Sequence, residues 1–305
     1  MRRVIGIGET ILDILFKNNQ PTVAVPGGSV FNGLVSLGRA GVNVTFISEV
    51  GGDRVGEIIL NFMKDNGICT DNVMVYPERK SPISLAFLND KNDAEYSFYK
   101  DYPTLRLDVD MPEVTSEDIV MFGSFYAITP QLRDKVKELL DKARKVGAII
   151  YYDVNFRSTH AHEAIKLMPT ILENFEYADI VRGSNEDFGN MFRMTAADKV
   201  YQHKVSFSCP RFICTNGGEG LCLRTKNLKK DYPVAPLQTV STIGAGDNFN
   251  AGLVFGLVKN RIRKADLDEL TEADWDKIVA SGMSFSKEVC TSLDNYISKE
   301  FAASL

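Results

Sequence analysis

The sequence has 305 residues, of which 44% are hydrophobic and 25% are charged, the proportions of an ordinary globular protein. Its net charge of −5 argues against a nucleic-acid partner, because no basic excess is available to replace the counterions of a phosphate backbone. No segment approaches the roughly 20 apolar residues that a membrane helix needs, so we expect no membrane partner either.

The beginning of the chain predicts a strand at residues 4–8, without the apolar core and the small-residue cleavage site of a signal peptide. The five cysteines include no CxxC pair, and Cys214 and Cys222 lie in apolar runs where a reduced, buried thiol is the ordinary interpretation. The three histidines form no HExxH motif. We therefore expect a cytoplasmic protein without a zinc site.

Short apolar runs alternate with amphipathic segments through most of the chain. The runs that predict strands buried on both faces are residues 4–8, 44–50, 119–123, 148–154, 180–183 and 211–215. The segments with helical periodicity lie near residues 30–40, 54–66, 130–146, 162–173 and 186–193. Predicted helix starts and ends are Thr129 with Pro130, Ser184, Gly41, Gly67 and Gly147. This repetition predicts a single α/β domain over residues 1–305, with a mostly parallel sheet and helices on both faces.

Two stretches interrupt this alternation. Residues 13–25 and 84–103 are extended and alternate in polarity, and the turn-forming residues 89–93 predict a hairpin within the second stretch. A hairpin at this place is either an edge of the main sheet or a separate flap over a site. A second hairpin, at residues 220–225 and 230–235, is expected at the sheet edge.

The most informative segment is residues 241–249, where small residues precede an apolar helical stretch at 249–257. Gly244, Ala245 and Gly246 leave the free N–H groups of a helix start accessible to an anion, and the helix dipole adds to the attraction. Asp247 in the same turn would repel a phosphate, but it is well placed as a base for a hydroxyl that attacks that phosphate. The alternative is an acid that caps the backbone of its own helix.

Other nucleotide-binding motifs are absent from the sequence. No Gly-Lys dipeptide occurs, so there is no Walker A loop. A dinucleotide fingerprint would need a third glycine after Gly6 and Gly8, where Ile11 stands, or after Gly246, where Phe249 stands. The sequence therefore argues against a NAD-dependent dehydrogenase.

Five motifs, in family order, make the chain resemble the ribokinase-like PfkB family of carbohydrate kinases. Residues 241–247 resemble its D-T-x-G-A-G-D signature, and residues 27–32 and 50–56 resemble its G-G-x-x-x-N and V-G-x-D-x-x-G segments. Residues 153–157 resemble the D-x-N-x-R of the fructokinase and 2-keto-3-deoxygluconate kinase branch, and residues 215–220 resemble the T-x-G-x-x-G nucleotide loop.

The resemblance implies an ATP-dependent sugar kinase with a ribokinase-like three-layer α/β sandwich. It implies a small β lid, formed by about residues 13–25 and 84–103, and ATP and Mg²⁺ as cofactors. Asp247 would deprotonate the sugar hydroxyl, while the amides of Gly244, Ala245 and Gly246 would stabilise charge on the transferred phosphoryl group.

The resemblance also implies which residues bind the sugar. Asp13, Gly28, Ser29 and Asn32 would hold sugar hydroxyls, and Arg157 would contact the sugar or a phosphate. Each side chain has an ordinary alternative: Asp13 begins a loop, Asn32 is a polar residue early in a helix, and Arg157 forms a surface salt bridge.

The nucleotide would be lined by Thr215, Gly217 and Gly220, although a tight hairpin alone would also explain these glycines. The family's N-x-x-E magnesium motif aligns with Ser184, beside the nucleotide, and with Asp187 as the metal-binding acid.

That alignment keeps an acid that can orient metal-bound water. A shift of one residue would place Asn185 correctly, but it would put Phe188 where the acid belongs. Glu186 remains an alternative acid.

Two departures from the family pattern concern potassium. Ser241 replaces the first Asp of the D-T-x-G-A-G-D signature, and residues 289–295 lack the usual Gly-Ala pair. In many members these two segments build a potassium site beside the anion hole. A hydroxyl in place of a carboxylate weakens a cation site, which argues against activation by K⁺.

Fructose is the expected substrate, because residues 153–157 and 98–101 look most like fructokinases. The alternatives are 2-keto-3-deoxygluconate, another sugar of the family, or a non-catalytic sugar- or nucleotide-binding regulator. Lys100 would meet the carboxylate of 2-keto-3-deoxygluconate, unless it is a solvated strand residue. Exposed apolar residues of the lid predict a lid-to-lid homodimer, unless they cover the sugar within a monomer; they are Leu85, Phe87, Phe98 and Tyr99.

Overall fold

A computed structural model of the chain describes residues 2–88 and 94–305. The predicted turn at residues 89–93 lies outside the described residues. Elsewhere the chain forms one large sheet, which carries most of the helices, and one small sheet.

The strands are β1 (Arg3–Ile7), β2 (Ile11–Lys17), β3 (Gln20–Gly27), β4 (Asn43–Gly51), β5 (Ile68–Cys69), β6 (Val73–Tyr76), β7 (Ile83–Leu88), β8 (Ala94–Tyr99), β9 (Ile119–Gly123), β10 (Ile149–Asp153), β11 (Ile180–Ser184), β12 (Phe212–Thr215), β13 (Leu221–Arg224) and β14 (Lys229–Tyr232). The α-helices are α1 (Ser29–Arg39), α2 (Arg54–Asp65), α3 (Arg133–Val146), α4 (Ala164–Tyr177), α5 (Asn185–Phe192), α6 (Ala197–Val200), α7 (Ala245–Lys259), α8 (Glu272–Cys290) and α9 (Lys299–Ala303). Shorter helical turns lie at Phe125–Ile128, Pro130–Leu132, Ser158–Glu163, Tyr201–Val205, Gly217–Glu219 and Lys264–Asp266.

The large sheet has the order β14-β13-β12-β11-β10-β9-β1-β4-β5, and β6 also pairs with β4. Its strands from β12 to β5 are parallel, and the hairpin of β13 and β14 adds antiparallel strands at one edge. All six predicted buried runs are strands of this sheet. Successive side chains of a strand point to opposite faces, so Val4 packs into one core cluster with α1, α7 and α8 while Ile5 packs into another with α3 and α4. The predicted parallel sheet with helices on both faces is confirmed.

The small sheet has the order β3-β2-β7-β8 and contains both stretches that interrupt the alternation. Strand β2 pairs in parallel with β7, and Asp13 stands opposite Ser84. The extended stretch predicted at 84–103 ends as a strand at Tyr99. The small sheet is separate from the main one, and its action as a lid stays a prediction.

The described residues contain no helix long and apolar enough to cross a membrane. All five cysteines are free thiols, and Cys214 and Cys222 are buried opposite each other on β12 and β13. The cytoplasmic location stays a prediction.

Candidate active site

The first turn of α7 lies open at its amino end. Gly244 precedes the helix in the left-handed region at φ 76°, and no side chain caps the helix. A Cβ on Gly244 would lie 2.9 Å from the backbone oxygen of Asn295, so only glycine fits there without a shift. Within residues 2–88 and 94–305, the amides of Gly246 and Asp247 make no hydrogen bond. These donors stand at the positive end of a 15-residue helix and are available to an anion.

Asn248 holds this turn in place from beneath, a role that the sequence analysis missed. Its Nδ2 donates to the backbone oxygens of Gly244 at 2.8 Å and Asn295 at 2.7 Å, and its Oδ1 accepts from the hydroxyl of Ser36. The side chain is fully buried, so these bonds are shielded from water. Asn248 therefore joins the start of α7 to α1 and to the segment that follows α8.

Asp247 is buried and lies between α7 and α1. Its Oδ1 accepts from the Ser29 hydroxyl at 2.9 Å and its Oδ2 accepts from Asn32 Nδ2 at 2.8 Å. Burial raises the pKa of Asp247, and the hydrogen bonds from Asn32 and Ser29 oppose that shift. Its side chain does not cap the helix. The carboxylate is thus oriented by α1, beside the open amides of its own turn.

The other predicted sugar ligands border the same region. Gly28 has φ 134° before α1, and a Cβ there would lie 2.2 Å from the backbone oxygen of Glu9. Asp13 accepts a hydrogen bond from the Ser84 hydroxyl of the neighbouring strand. Burial, opposed by that hydrogen bond and aided by the charges of Glu9 and Asp247, raises the pKa of Asp13 to about 6. The small sheet therefore brings a second carboxylate near Asp247.

Arg157 follows β10 and is exposed. It forms no ion pair with any described residue, but its charge acts to lower the pKa of Asp247. Among the described residues the salt-bridge alternative therefore has no partner, and a contact of Arg157 with the sugar or a phosphate stays a prediction. Arg157 faces the same site as Asp247 with its guanidinium exposed to solvent.

The loop after β12 contains the predicted nucleotide residues. Gly217 and Gly220 both have positive φ, at 51° and 118°. A Cβ on Gly220 would lie 2.5 Å from the backbone oxygen of Tyr232, so the tight turn alone requires glycine at that position. The Thr215 hydroxyl at the start of the loop accepts from Arg182 Nη2 at 2.7 Å.

The predicted magnesium motif lies at the start of α5, next to that loop. Ser184 pairs with Thr215 across β11 and β12, and the side chain of Asn185 donates to that of Asn216. The Oδ2 atom of Asp187 accepts from the backbone amide of Ser184 at 2.7 Å and from its hydroxyl at 2.8 Å. The Ser184 hydroxyl in turn accepts from the amide of Asp187, so the two residues form a capping box.

Arg182, near the end of β11, is the residue of this region that the sequence analysis missed. Its side chain is 7% exposed, and its Nη1 donates to Asp153 Oδ1 at 3.0 Å. Burial raises the pKa of Asp153 to about 6, while the charge of Arg182 opposes that shift. The signal in the sequence was a cation inside an apolar strand run, which needs a buried partner or a ligand.

The comparisons with known proteins identify the family of the chain. A model of the pfkB family of carbohydrate kinases matches residues 1–299. A fructokinase of Rhizobium leguminosarum bv. trifolii is 26% identical over 278 residues, which span 88% of this chain and 84% of that protein.

Two solved structures have the same fold. A fructokinase from Vibrio cholerae O395, in a fructose-, ADP- and calcium-bound form, is similar at a TM-score of 0.83 and 19% identity, covering 97% of this chain and 94% of that chain. An aminoimidazole riboside kinase from Salmonella enterica, complexed with aminoimidazole riboside and an ATP analogue, is similar at a TM-score of 0.82 and 19% identity, covering 99% of each chain.

The chain belongs to the pfkB family of carbohydrate kinases, because the family model spans nearly its whole length. It is a phosphotransferase with an alcohol group as acceptor, and an ATP-dependent sugar kinase. The fold and the family inferred from the motifs are confirmed.

Proposed function

We propose that this member of the pfkB family is a fructokinase that uses Asp247 as the base and the first turn of α7 as the phosphate cradle. The observation that carries the proposal is the arrangement of the Asp247 carboxylate, which Ser29 and Asn32 hold beside the amides of Gly246 and Asp247. In the part of the chain that the structure describes, these two amides have no hydrogen-bond partner. A base for a hydroxyl and donors for a phosphoryl group must lie this close together if the two react.

The proposed reaction proceeds by in-line transfer. The sugar hydroxyl loses its proton to Asp247 and its oxygen bonds to the γ-phosphorus, while the bond from that phosphorus to the bridging oxygen breaks and ADP leaves. The amides of α7 stabilise the negative charge on the transferred group. Burial of Asp247 removes competing water and raises its pKa, which makes the carboxylate a stronger base.

The residues near Asp187 fit a magnesium ion that is bound mainly through nucleotide phosphates and water, the usual way in which proteins hold Mg²⁺. The described residues contain no group of three metal-ligating side chains that would hold a metal alone. Asp187 Oδ1 has no hydrogen-bond partner among the described residues, because the capping box uses Oδ2. Asp187 Oδ1 would orient a metal-bound water, and the ion would supply charge neutralisation between the phosphates.

Fructose is preferred over an acidic sugar because the charges at the small sheet are already balanced. Lys100 Nζ lies 2.7 Å from Glu9 Oε1, which also accepts from the Tyr102 hydroxyl at 2.5 Å. A substrate carboxylate would have to compete with Glu9 for Lys100 and would meet Asp13 and Asp247. A neutral ketose meets no such repulsion, and the names of the fructokinase relatives support fructose as its identity.

Activation by K⁺ is not expected. Ser241 Oγ accepts from the amide of Ile243, and Val240 donates to the oxygen of Cys290, so the two segments that differ from the family pattern lie side by side.

We propose a dimer formed through the small sheet. Phe98 and Tyr99 of β8 are 55% and 57% exposed, which supports an apolar contact between two copies. Size measurement in solution would test the dimer.

The function is tested by measuring ADP release with ATP and Mg²⁺ across fructose, 2-keto-3-deoxygluconate, ribose, tagatose and adenosine, with and without K⁺. We expect the highest kcat/KM with fructose and no dependence on K⁺. Preference for 2-keto-3-deoxygluconate would contradict the proposed substrate. Binding of sugar and nucleotide without any turnover would favour a regulator on the same fold.

A further inference from the structure

Arg182 joins the ends of three neighbouring parallel strands. It lies on β11, donates to Asp153 on β10 at 3.0 Å and donates to Thr215 on β12 at 2.7 Å. Ligands of open α/β sheets bind at the carboxyl ends of such strands. Arg182 therefore occupies the floor of the region between the loop after Thr215 and the start of α7.

The guanidinium of Arg182 also lies against the open helix start. A Cβ built on Gly246 would lie 3.2 Å from both Nη1 and Nη2 of Arg182. Most Cβ atoms in proteins lie farther than this from a neighbouring atom. Because glycine has no Cβ, the guanidinium of Arg182 fits against Gly246. An oxyanion that accepted from the amide of Gly246 would thus be next to a buried positive charge.

The hydrogen bonds of Arg182 leave donors unused. A guanidinium carries five N–H groups, and to the residues that the structure describes Arg182 gives one bond at Asp153 and one at Thr215. Its Nε is buried without a partner within residues 2–88 and 94–305, and Asp153 Oδ2 is as well. Buried donors are normally satisfied, so a guanidinium with unused N–H groups beside open helix amides indicates an anionic ligand.

We propose that Arg182 is a further catalytic residue, which contacts the transferred phosphoryl group together with the amide of Gly246. This inference rests on the proposed function, since it assigns a role within the same reaction. Asp153 holds the guanidinium in place, and Thr215 ties it to the nucleotide loop. The charge that grows on the phosphoryl oxygens in transfer is then shared between Arg182 and α7.

The alternative is a structural role, in which Arg182 only links β10, β11 and β12. Arg211 offers a matched control, because it is also buried and donates to Asp268 and to the backbone oxygen of Asp179. Arg211 precedes β12, at the opposite end of the strand from Thr215. A structural arginine at either position would affect stability and leave kcat unchanged.

The test compares Arg182→Gln, Arg182→Lys and Arg211→Gln by kcat, by KM for each substrate and by thermal unfolding. We expect Arg182→Gln to lower kcat by about 10²–10³, as for loss of one oxyanion donor, with KM for fructose within about twofold of the wild type by that same reasoning. Arg182→Lys should lose at least about tenfold, because lysine cannot replace a fixed fork of donors. Arg211→Gln should keep wild-type kcat. Free guanidinium should restore part of kcat to Arg182→Ala and leave the wild type unaffected.

The pH profile gives a second readout that a structural role would not move. Asp247 faces the cations Arg157 and Arg182 and the carboxylates of Asp13 and Asp153. Because Arg182 acts to lower the pKa of Asp247, Arg182→Gln should shift the acid limb of kcat to higher pH.

A wild-type kcat and pH profile in Arg182→Gln, together with the stability loss seen for Arg211→Gln, would overturn the inference and leave the fructokinase proposal intact. If the Gln variant does not fold, a wild-type kcat in Arg182→Lys would overturn it. Failure of the wild-type chain to phosphorylate any sugar would instead count against the proposed function.

Discussion

The amino ends of α5 and α7 have an aspartate in the first turn, yet they differ in how their backbone donors are satisfied. At α5, Ser184 and Asp187 exchange hydrogen bonds and close the helix start with the protein's own side chains. At α7, Gly244 supplies no side chain, and Asp247 turns away from the helix backbone toward Ser29 and Asn32. The start of α5 carries a side-chain cap, and the start of α7 does not.

This difference shows that an acid near a helix start has no fixed role. Asp187 stabilises its helix through a local cap, whereas Asp247 is held by another helix and leaves its own amides open. The negative charge of the Asp247 carboxylate repels a bound phosphate unless a proton is transferred to the carboxylate. The comparison therefore predicts that substitutions at α5 act mainly on stability and that substitutions at α7 act mainly on rate.

The largest expected effect is that of Asp247→Asn compared with Asp187→Asn. Loss of the base at Asp247 should lower kcat by about 10²–10⁴, and the fold should persist because asparagine has the same shape. Asp187→Asn should lower the free energy of unfolding by about 1 kcal/mol, because it weakens the half of the capping box that Asp187 supplies, and should raise the Mg²⁺ concentration that half-maximal activity requires. Steady-state kinetics and urea titration would measure both. Similar kcat losses in the two variants would contradict the contrast between the helix starts.

Gly244→Ala tests whether the open start depends on its backbone conformation. The left-handed φ of 76° and the 2.9 Å approach to the Asn295 oxygen should lower the free energy of unfolding by about 1–3 kcal/mol. The same change should lower kcat, since the amides of the first turn would move. Gly41→Ala is a suitable control, because it has a similar φ of 77° with open space around its Cβ and is far from the site. Equal kcat in the two variants would argue against a role for Gly244 in the cradle.

The pH dependence of sugar binding tests the second carboxylate. The pKa of Asp13 is raised to about 6 by burial, and only the ionised form accepts hydrogen bonds from sugar hydroxyls with both oxygens. The affinity for sugar should therefore be highest when the pH is above the pKa of Asp13. It should fall as the pH decreases through that pKa, by up to about tenfold per pH unit. Asp13→Asn should bind fructose weakly with no such dependence. A fructose affinity that is constant from pH 5 to pH 8 in the wild type would contradict the assignment.

The smallest effect is expected for Ser184→Ala. Removal of the N-cap hydroxyl should lower the free energy of unfolding by about 0.5–2 kcal/mol and change kcat by less than about threefold, because the site at α7 is untouched. Ser298→Ala, which removes the cap of α9 away from the site, is the matched control. A kcat loss in Ser184→Ala beyond that of Ser298→Ala would show that the start of α5 takes part in nucleotide binding.

The sequence was sufficient for the fold and for the motifs, because both depend on local patterns. The alternation of apolar runs with helical segments predicts the parallel sheet, and the spacing of residues 241–247 predicts the helix start. The spacing of Ser184 and Asp187 is ambiguous, because a magnesium motif and a capping box require the same positions.

Contacts between distant segments could not be predicted. Lys100 was considered as a partner for the carboxylate of the alternative acidic sugar or as a solvated strand residue, and its pairing with Glu9, which lies 91 residues earlier, was not foreseen. Arg182 shows no motif of its own, since its importance comes from Asp153 and Gly246 on other elements. Such contacts depend on which strands become neighbours, and no local pattern encodes that.

The parallel pairing of β2 with β7 has a consequence for how the protein is made. Asp13 is synthesised early, but its partner Ser84 belongs to a strand that follows four more strands and two helices. Contacts of such long sequence separation form slowly, because a long loop must close first. During translation the Asp13 carboxylate therefore remains without its neighbouring strand until residues 83–88 have left the ribosome, so the small sheet is completed late.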